Sequence, residues 1–344
     1  MKAIYVGTLT NGSTSRMRAE KLRDLDHDVE WRWVNTDAIV LQSSRAWQSA
    51  AYRLQAGDAV RAINSAVLNY IRNDKFDLAW VDKGIFLTPP TVRALRKAAR
   101  SLIHYTPDTA FHFGRSRHFE KTVGLYDLLV TTKSFDVPEY IRLAGRDTVH
   151  LTTQGFDPSV HFPRKHADER SKEVVFVGLA EPERQRCLEA LLGQGIKVRL
   201  AGVGWSGFVS RMKRGRHLVF HGESVFDDHY AELLSNAWIG LGLLSKRFPE
   251  LHTTRTFEIP ACGAVLATEA TEDTRLFFSP DEALFFSDYQ DLAMQIKELF
   301  EPGRENDLRN LADRGRSRVI KDNRSYVNIL RSVLADSRIQ FTKP

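Results

Sequence analysis

The chain has 344 residues, of which 42% are hydrophobic and 27% are charged. This length suggests two domains, and the composition excludes a disordered chain. Residues 1–165 carry 24 Lys and Arg against 17 Asp and Glu, and the remainder carries 25 against 26, so the whole basic excess lies in the first half. A basic half attracts acidic lipid surfaces, phosphorylated acceptors, acidic glycans or nucleic acid, or it only keeps the surface soluble.

No apolar run approaches the roughly 20 residues that cross a bilayer, and the first residues lack the pattern of a signal peptide. Cys187 and Cys262 stand in apolar helical surroundings without a CxxC pair, which predicts two buried thiols. We therefore expect a cytoplasmic protein. Trp47, Tyr52 and two neighbouring arginines could rest on the inner membrane face, but ordinary packing explains them better.

The first half alternates strand and helix patterns. Its predicted strands cover residues 2–6, 29–34, 76–80, 101–105, 128–131 and 149–151. A Gly, Ser and Thr loop at 7–15 and helices at 16–25, 60–71 and 91–99 separate the first four strands. This alternation is typical of a parallel, doubly wound sheet with helices on both faces.

The pattern breaks at residues 155–170 and then repeats. The predicted strands of the second half cover residues 174–177, 197–201, 218–220, 238–243, 264–268 and 284–286, and only helices follow from 291. We predict a domain at 1–160, a linker at 161–170, a second domain at 171–322 and a helical tail at 323–344 that could pack back on the first domain. Two such domains facing each other would place the active site in the cleft between them.

The clearest functional pattern spans residues 250–268, where a polar loop enters a short helix, a Gly ends it and an apolar strand follows. Thr253 and Thr254 are candidate N-caps of that helix. Its free N–H groups, together with Arg255, could hold a diphosphate. Glu258 lies one turn into the helix, where a carboxylate could accept hydrogen bonds from two sugar hydroxyls. The alternative to a ligand site is that Glu258 only caps the helix and that Arg255 is an ordinary surface residue.

This segment resembles the donor-binding signature of GT-B glycosyltransferases of family 4, above all the CgeB-like group. Glu250 and Glu258 have the family's spacing, with seven residues between them, and Gly263 falls five residues after Glu258. The resemblance implies that Glu258 binds the ribose hydroxyls and that Glu250 faces the donor sugar. The Gly-rich turn usual after the first glutamate is missing, and His252 could take part of its role.

Two further segments resemble the same family. Gly178 ends a strand, and the helix that follows carries Arg184 and Arg186. At this place the family has a basic residue that neutralises the departing diphosphate. We favour Arg184 for this role, because Arg186 would face solvent. Gly222 lies in a Gly-containing loop of the kind that approaches a nucleobase, although a plain turn is equally consistent. Residues 154–163 resemble the family's hinge.

The first half supplies the catalytic and acceptor candidates. His104 follows a strand and matches the position of a histidine that contacts the donor sugar in retaining family members. Asp108 could orient or deprotonate an acceptor hydroxyl. Gly12, Ser13 and Arg115 are the remaining acceptor-side candidates.

The patterns predict an α/β protein, and the resemblance implies a GT-B architecture and transfer of a sugar from a UDP- or GDP-sugar to a hydroxyl acceptor in polysaccharide biosynthesis. The resemblance implies retention of configuration and neither metal nor cofactor; Asp227 and Asp228 are better explained as acids at a helix start. Anionic and lipid-linked acceptors fit the basic half, and we expect no nucleic-acid partner. A nucleotide-sugar epimerase and a non-catalytic sugar-binding relative are the alternatives.

Overall fold

The computed structural model describes residues 1–40, 51–112, 115–212 and 217–341. The chain divides into two compact units, one of Met1–Thr153 with Tyr326–Pro344 and the other of Gln154–Ser325. Each unit is an α/β domain built on a six-stranded parallel sheet. All twelve predicted strands are present, so the predicted fold class is confirmed.

The first domain has the strand order β2-β1-β3-β4-β5-β6. Its strands are β1 Lys2–Gly7, β2 Glu30–Asn35, β3 Phe76–Asp82, β4 Ala99–Thr106, β5 Leu128–Thr131 and β6 Val149–Leu151. Alternate residues of each strand enter two separate cores, one containing Ile4 and Val81 and the other Tyr5 and Trp80. Apolar residues therefore cover both faces, as a doubly wound sheet requires.

Helices flank this first sheet. They are α1 Thr14–Leu25, α2 Thr36–Val40, α3 Asp58–Ile71, α4 Pro89–Ala98, α5 Arg117–Glu120, α6 Val137–Ala144 and α14 Tyr326–Leu334. The last of these, α14, packs on α1 and places the helical tail in the first domain. Arg45 and Trp47 lie outside the described residues, while Tyr52 is half exposed.

The second domain has the strand order β12-β11-β10-β7-β8-β9. Its strands are β7 Ser171–Val177, β8 Val198–Ala201, β9 Leu218–Phe220, β10 Ala237–Leu241, β11 Val265–Glu269 and β12 Leu284–Phe286. Its helices are α7 Pro182–Gly193, α8 Ser206–Met212, α9 Asp227–Asn236, α10 Arg255–Ala261, α11 Glu272–Phe277, α12 Tyr289–Leu299 and α13 Glu305–Lys321. Cys187 and Cys262 are both buried thiols, as predicted.

The segment expected to link the domains belongs to the second one. The chain passes between the units at Thr153–Gln154 and again at Ser325–Tyr326. The Phe156 N–H donates to the Arg324 carbonyl, and Phe156 packs in the core of the second domain. Residues 161–170 lie inside that domain, where His161 is buried and the Ser235 hydroxyl donates to the Phe162 carbonyl, although the composition of this stretch alone resembles a linker.

Candidate functional site

The strand order of the second domain reverses between β7 and β10. Open α/β sheets bind ligands beyond the carboxyl ends of their strands at such a switch point. The loop after β7 begins at Gly178, and the loop after β10 runs from Gly242 to Thr254. The topology therefore places two of the predicted functional segments beside each other.

Arg184 and Arg255 converge on one carbonyl oxygen at this point. Nη2 of Arg255 donates to the Leu243 carbonyl at 3.0 Å, and Nη2 of Arg184 approaches the same oxygen at 3.4 Å. Both guanidinium groups also lie about the same distance from the Phe176 ring, at 5.7 Å for Arg184 and 5.6 Å for Arg255. Two positive charges thus share one small region.

This proximity has an electrostatic cost that an anion would relieve. Burial, and next the charge of Arg255, lower the pKa of Arg184 to about 10. Glu181 offsets part of the repulsion, with its Oε1 3.0 Å from Nη1 of Arg184. A diphosphate, which accepts several hydrogen bonds and carries negative charge, suits a pair of guanidinium forks.

Glu250 and Glu181 fix the loop after β10. The Ser245 N–H donates to Oε2 of Glu250 at 2.8 Å, and the Ser245 hydroxyl donates to Oε2 of Glu181 at 3.1 Å. Glu250 thereby helps to shape the loop that carries the Leu243 carbonyl. Its predicted role at the donor sugar stays a prediction.

Glu258 is buried in α10 and is held from two other elements. The Tyr230 hydroxyl donates to its Oε2 at 2.8 Å. On the other side, Nε2 of His161 lies 3.8 Å from Oε1. Because the Asp157 N–H donates to Nδ1 of His161, Nδ1 acts as the acceptor and Nε2 is the ring donor that faces Glu258. The carboxylate is therefore oriented, with Oε1 the less occupied oxygen.

Both ring nitrogens of His252 are already engaged within the domain. Nδ1 lies 2.6 Å from Oδ2 of Asp273, and Nε2 accepts the Gln154 N–H at 3.2 Å. The ring is buried against Phe257 and Phe277. His252 therefore connects the loop before α10 to the start of the second domain. This is a structural role, whereas the sequence suggested a role in donor binding.

The start of α10 differs from the capping predicted for it. Thr254 occupies the N-cap position, but no side chain caps the helix there. The buried Thr253 instead donates its N–H to the Thr256 hydroxyl at 3.1 Å. The short helix is held by its own first turn, and neither threonine hydroxyl is the cap that we expected.

Three glycines allow the loops at the carboxyl end of this sheet to approach closely. A Cβ on Gly202 would lie 2.0 Å from the Gly178 carbonyl oxygen, and one on Gly178 would lie 3.4 Å from Arg255 Nη1. Gly222 has a φ of +99° and open space beside its Cα. The loops after β7 and β8 are therefore in close contact, whereas the loop after β9 leaves room beside Gly222.

Comparisons with known proteins bear on the second domain and on the fold. Residues 183–335 match the glycosyl transferase-like family. The second domain is therefore similar to glycosyltransferases. Anabaena HepE, solved with UDP and glucose, is similar in fold at 13% identity and a TM-score of 0.64, over 97% of this chain and 98% of that one. Sucrose-phosphate synthase from Thermosynechococcus elongatus gives 14% identity and a TM-score of 0.66 with the same coverage. No curated protein sequence matches significantly.

The chain has the GT-B fold, because its likeness to these structures extends over both α/β domains. Within the part of the chain that the structure describes, no helix could span a bilayer. In the same residues, no group of three His, Cys, Asp or Glu side chains could hold a metal ion. Asp227 and Asp228 begin α9, and Asp228 pairs with Arg164 at 2.5 Å.

His104 points into the core of the first domain. Its ring stacks on Phe119 with 4.0 Å between ring centroids, and Nε2 hydrogen bonds to the Lys83 carbonyl at 2.9 Å. Burial lowers the pKa of His104 to about 4, so the ring is neutral at pH 7. This placement makes His104 a support for Lys83, and its predicted contact with a donor sugar has no backing in this geometry.

Asp108 lies where the sequence predicts, just after β4. Its Oδ2 is 2.6 Å from Nζ of Lys83. Burial alone would raise the pKa of Asp108, but the charge and hydrogen bond of Lys83 outweigh it and hold that pKa below its ordinary value. Asp108 is thus an ionised hydrogen-bond acceptor at neutral pH.

The other candidates have local structural partners. Ser13 caps α1 by accepting the Arg16 N–H at 3.1 Å, and Gly12 precedes it with a φ of +75°. The exposed Arg115 pairs with Glu120 at 2.6 Å. Arg186 is exposed and pairs with Glu183, as expected for a residue that faces solvent. Their roles at acceptor or donor stay predictions.

Sequence reasoning missed Tyr230 and Lys83. Nothing local marks Tyr230, because its partner Glu258 is 28 residues away. Lys83 could have been found, since it follows a buried strand directly, where side chains of an α/β sheet reach the ligand edge.

Proposed function

We propose that this chain is a glycosyltransferase that moves a sugar from a nucleoside-diphosphate sugar to a hydroxyl acceptor, with retention of configuration and without a metal. The observation that carries the proposal is the convergence of Arg184 and Arg255 on the Leu243 carbonyl, at the switch point of the second sheet. HepE, which shares the fold, has been solved with UDP and glucose. A uridine or guanosine nucleotide would therefore dock on this domain.

The leaving group in this reaction is a nucleoside diphosphate, and its departure leaves negative charge on the phosphate oxygens. Arg184 and Arg255 would stabilise that charge with hydrogen bonds from preorganised donors in a largely buried setting. The attraction of both guanidinium groups to an anion between them would offset their mutual Coulomb repulsion. The pair thus supplies the positive charge that other transferases take from a metal ion.

Glu258 would orient the nucleotide through its ribose. A carboxylate accepts hydrogen bonds from two neighbouring hydroxyls, and Tyr230 and His161 hold this one in place. The open space beside Gly222 would admit the base. In the first domain, the ionised Asp108 would orient the acceptor hydroxyl. In the second domain, Glu250 is a weaker candidate for a contact to the donor sugar.

The decisive experiment measures nucleotide binding and turnover separately. UDP, GDP and dTDP are tested by thermal shift, because a ligand that binds only the folded protein raises the melting temperature. Each corresponding sugar nucleotide is then followed for nucleotide release and for sugar isomerisation. Binding with release supports transfer, isomerisation alone indicates an epimerase, and binding without either indicates a non-catalytic relative.

Glu258→Gln tests whether the bound nucleotide occupies the proposed site. The amide can still accept the Tyr230 hydrogen bond, so the fold should survive while the ribose loses a charged acceptor. Glu298→Ala is the control, since its side chain is 69% exposed on another helix. We expect the rise in melting temperature with nucleotide to shrink strongly in Glu258→Gln and to persist in Glu298→Ala. An equal rise in both variants would refute the donor site.

A further inference from the structure

Three consecutive main-chain N–H groups in the loop after β10 donate to three carboxylates of the second domain. The donor and acceptor pairs are Leu244 with Glu269, Ser245 with Glu250 and Lys246 with Glu181, at 3.1, 2.8 and 3.4 Å respectively. Successive main-chain N–H groups can form concavities that bind anions. In this loop, the anions that these groups contact are side chains of the protein itself.

The two arginines of the proposed donor site also have hydrogen-bond acceptors within the domain. Arg255 donates to the Leu243 carbonyl at 3.0 Å. Arg184 donates to the Leu179 carbonyl at 3.1 Å, and the same Nη1 lies 3.0 Å from Oε1 of Glu181. An incoming diphosphate must therefore compete with acceptors that the protein supplies.

Glu181 contacts both sets of donors. Its Oε1 faces Arg184, and its Oε2 accepts the Ser245 hydroxyl at 3.1 Å. Both members of the ion pair are buried, with 7% of the Glu181 side chain and 6% of the Arg184 side chain exposed. Solvent and salt screen a buried pair far less than an exposed one. Glu181 is therefore a strong competitor for the Arg184 guanidinium.

The charges around this loop nearly cancel. Burial and the charge of Arg255 lower the pKa of Arg184, whereas three carboxylates act in the other direction: Glu181, Glu250 and Glu269. Lys246 adds a third cation, with its Nζ 3.1 Å from Oε1 of Glu269. A diphosphate thus adds negative charge to a balanced set of three cations and three carboxylates. It gains a guanidinium only if a carboxylate gives one up, and Glu181 is in direct contact with Arg184.

We propose that Glu181 is an internal counter-ion that the diphosphate displaces from Arg184, and that this exchange limits the affinity of the site for the nucleoside diphosphate. The inference rests on the proposed function and deepens it. When phosphate oxygens bind the guanidinium, Glu181 keeps the Ser245 hydroxyl as a donor. After transfer, the return of Glu181 to Arg184 favours release of the product. Glu181 acts through Arg184 and is a positioning residue.

Calorimetry with pyrophosphate, UDP and uridine tests this role in the wild-type protein and in Glu181→Gln. The amide oxygen can still accept from Arg184 and the amide nitrogen can donate to the Ser245 oxygen, so the variant keeps the shape and loses the charge. We expect pyrophosphate and UDP to bind about tenfold more tightly to the variant, as removal of one charged competitor predicts, and uridine to bind equally. Unchanged or weaker binding of pyrophosphate, or no binding to either protein, overturns the proposal.

Two further variants separate the charge of Glu181 from its shape and from the net charge of the domain. Glu181→Asp keeps the charge on a shorter side chain, so its affinity for pyrophosphate should stay closer to wild type than that of Glu181→Gln. Glu183→Gln is the matched control, since Glu183 lies on the same helix and pairs with Arg186. Equal tightening in either of these variants and in Glu181→Gln refutes the counter-ion.

A crystal structure of the wild-type protein with UDP gives a readout that needs no variant. We expect phosphate oxygens to contact the Arg184 guanidinium and Glu181 to lie beyond hydrogen-bond distance from it. An intact pair of Arg184 and Glu181 beside the bound UDP would overturn the inference.

Nucleotide release from sugar nucleotides, measured on the same samples, separates this inference from the proposed function. Tighter pyrophosphate binding to Glu181→Gln without any nucleotide release would defeat sugar transfer and leave the counter-ion role. Nucleotide release with an unchanged affinity for pyrophosphate would defeat the counter-ion role alone.

Discussion

Tyr230 on α9 donates a hydrogen bond of 2.8 Å to Oε2 of Glu258 on α10. Burial, and next the charge of Glu258, raise the pKa of Tyr230 well above its ordinary value, so the phenol stays protonated and remains the donor. One carboxylate oxygen is thereby occupied within the protein. The other, Oε1, lies 3.8 Å from Nε2 of His161 and would be the oxygen offered to a ribose hydroxyl in the proposed donor site.

Tyr230→Phe should weaken nucleotide binding more than it affects turnover. The variant removes one hydrogen bond to a charged group, worth about 1.5–3 kcal/mol, and lets the carboxylate rotate. We expect KM for the donor to rise about tenfold or more while kcat changes little, because Tyr230 acts through Glu258 and not on the reacting atoms. Steady-state kinetics decides the matter, with the exposed Tyr70→Phe as control; an unchanged KM would mean that Glu258 needs no positioning.

The architecture was predictable from the sequence because it depends on local patterns. Short apolar runs separated by helical periodicity located all twelve strands, including Leu218–Phe220, which is only three residues long. The polar residues after β7 and β10 likewise pointed to Arg184 and Arg255. Side chains at the carboxyl ends of strands are brought together by topology, so strand assignment alone places them.

The partners of these residues were not predictable, because they depend on contacts between segments distant in sequence. His252 looked like a donor contact, yet its two nitrogens bind Asp273 and Gln154, 21 and 98 residues away. His104 looked like a residue at a strand end, yet its ring turned inward onto Phe119. A strand residue points to one face or the other, and a shift of one position exchanges site and core.

Replacing Arg255 by Lys should reduce affinity for the diphosphate and not for the nucleoside. Lysine keeps the charge but cannot span two phosphate oxygens or reach Leu243 with a planar fork. We expect UDP to bind at least tenfold more weakly to Arg255→Lys, with uridine nearly unchanged, when both are measured by calorimetry. Arg186→Lys is the matched control because Arg186 is exposed and pairs with Glu183. A loss of equal size in the control would place the phosphates elsewhere.

The first domain should lose stability in mild acid because of His104. The pKa of His104 is about 4 in the folded protein against 6.5 for the free group, with burial as the main cause. The folded pKa is lowered, so the unfolded state binds the proton more readily. The contribution of the neutral His104 ring to the free energy of unfolding is complete above about pH 6.5. It falls as the pH drops toward 4, by on the order of 3 kcal/mol in total.

Hydrogen exchange of the β4 amides, measured from pH 7.5 to pH 4, reports this local free energy of unfolding. The comparison is with His104→Gln, which cannot titrate but can still donate to the Lys83 carbonyl. The wild-type protein should be the more stable at pH 7.5, and the gap should close toward pH 4. Parallel curves for the two proteins would show that His104 is already protonated or exposed in the folded state.

His252→Gln distinguishes a structural role from a role in donor binding. Because Nδ1 faces Asp273 and Nε2 accepts the Gln154 N–H, the ring has no nitrogen left for a ligand. The variant should lose about 1–3 kcal/mol of stability, as expected when buried polar partners are left unsatisfied. The dissociation constant for UDP, measured below the lowered melting temperature, should stay within about twofold of wild type, since binding is a difference between two folded states that share the same defect. A large loss of UDP affinity with an unchanged melting temperature would instead place His252 at the donor.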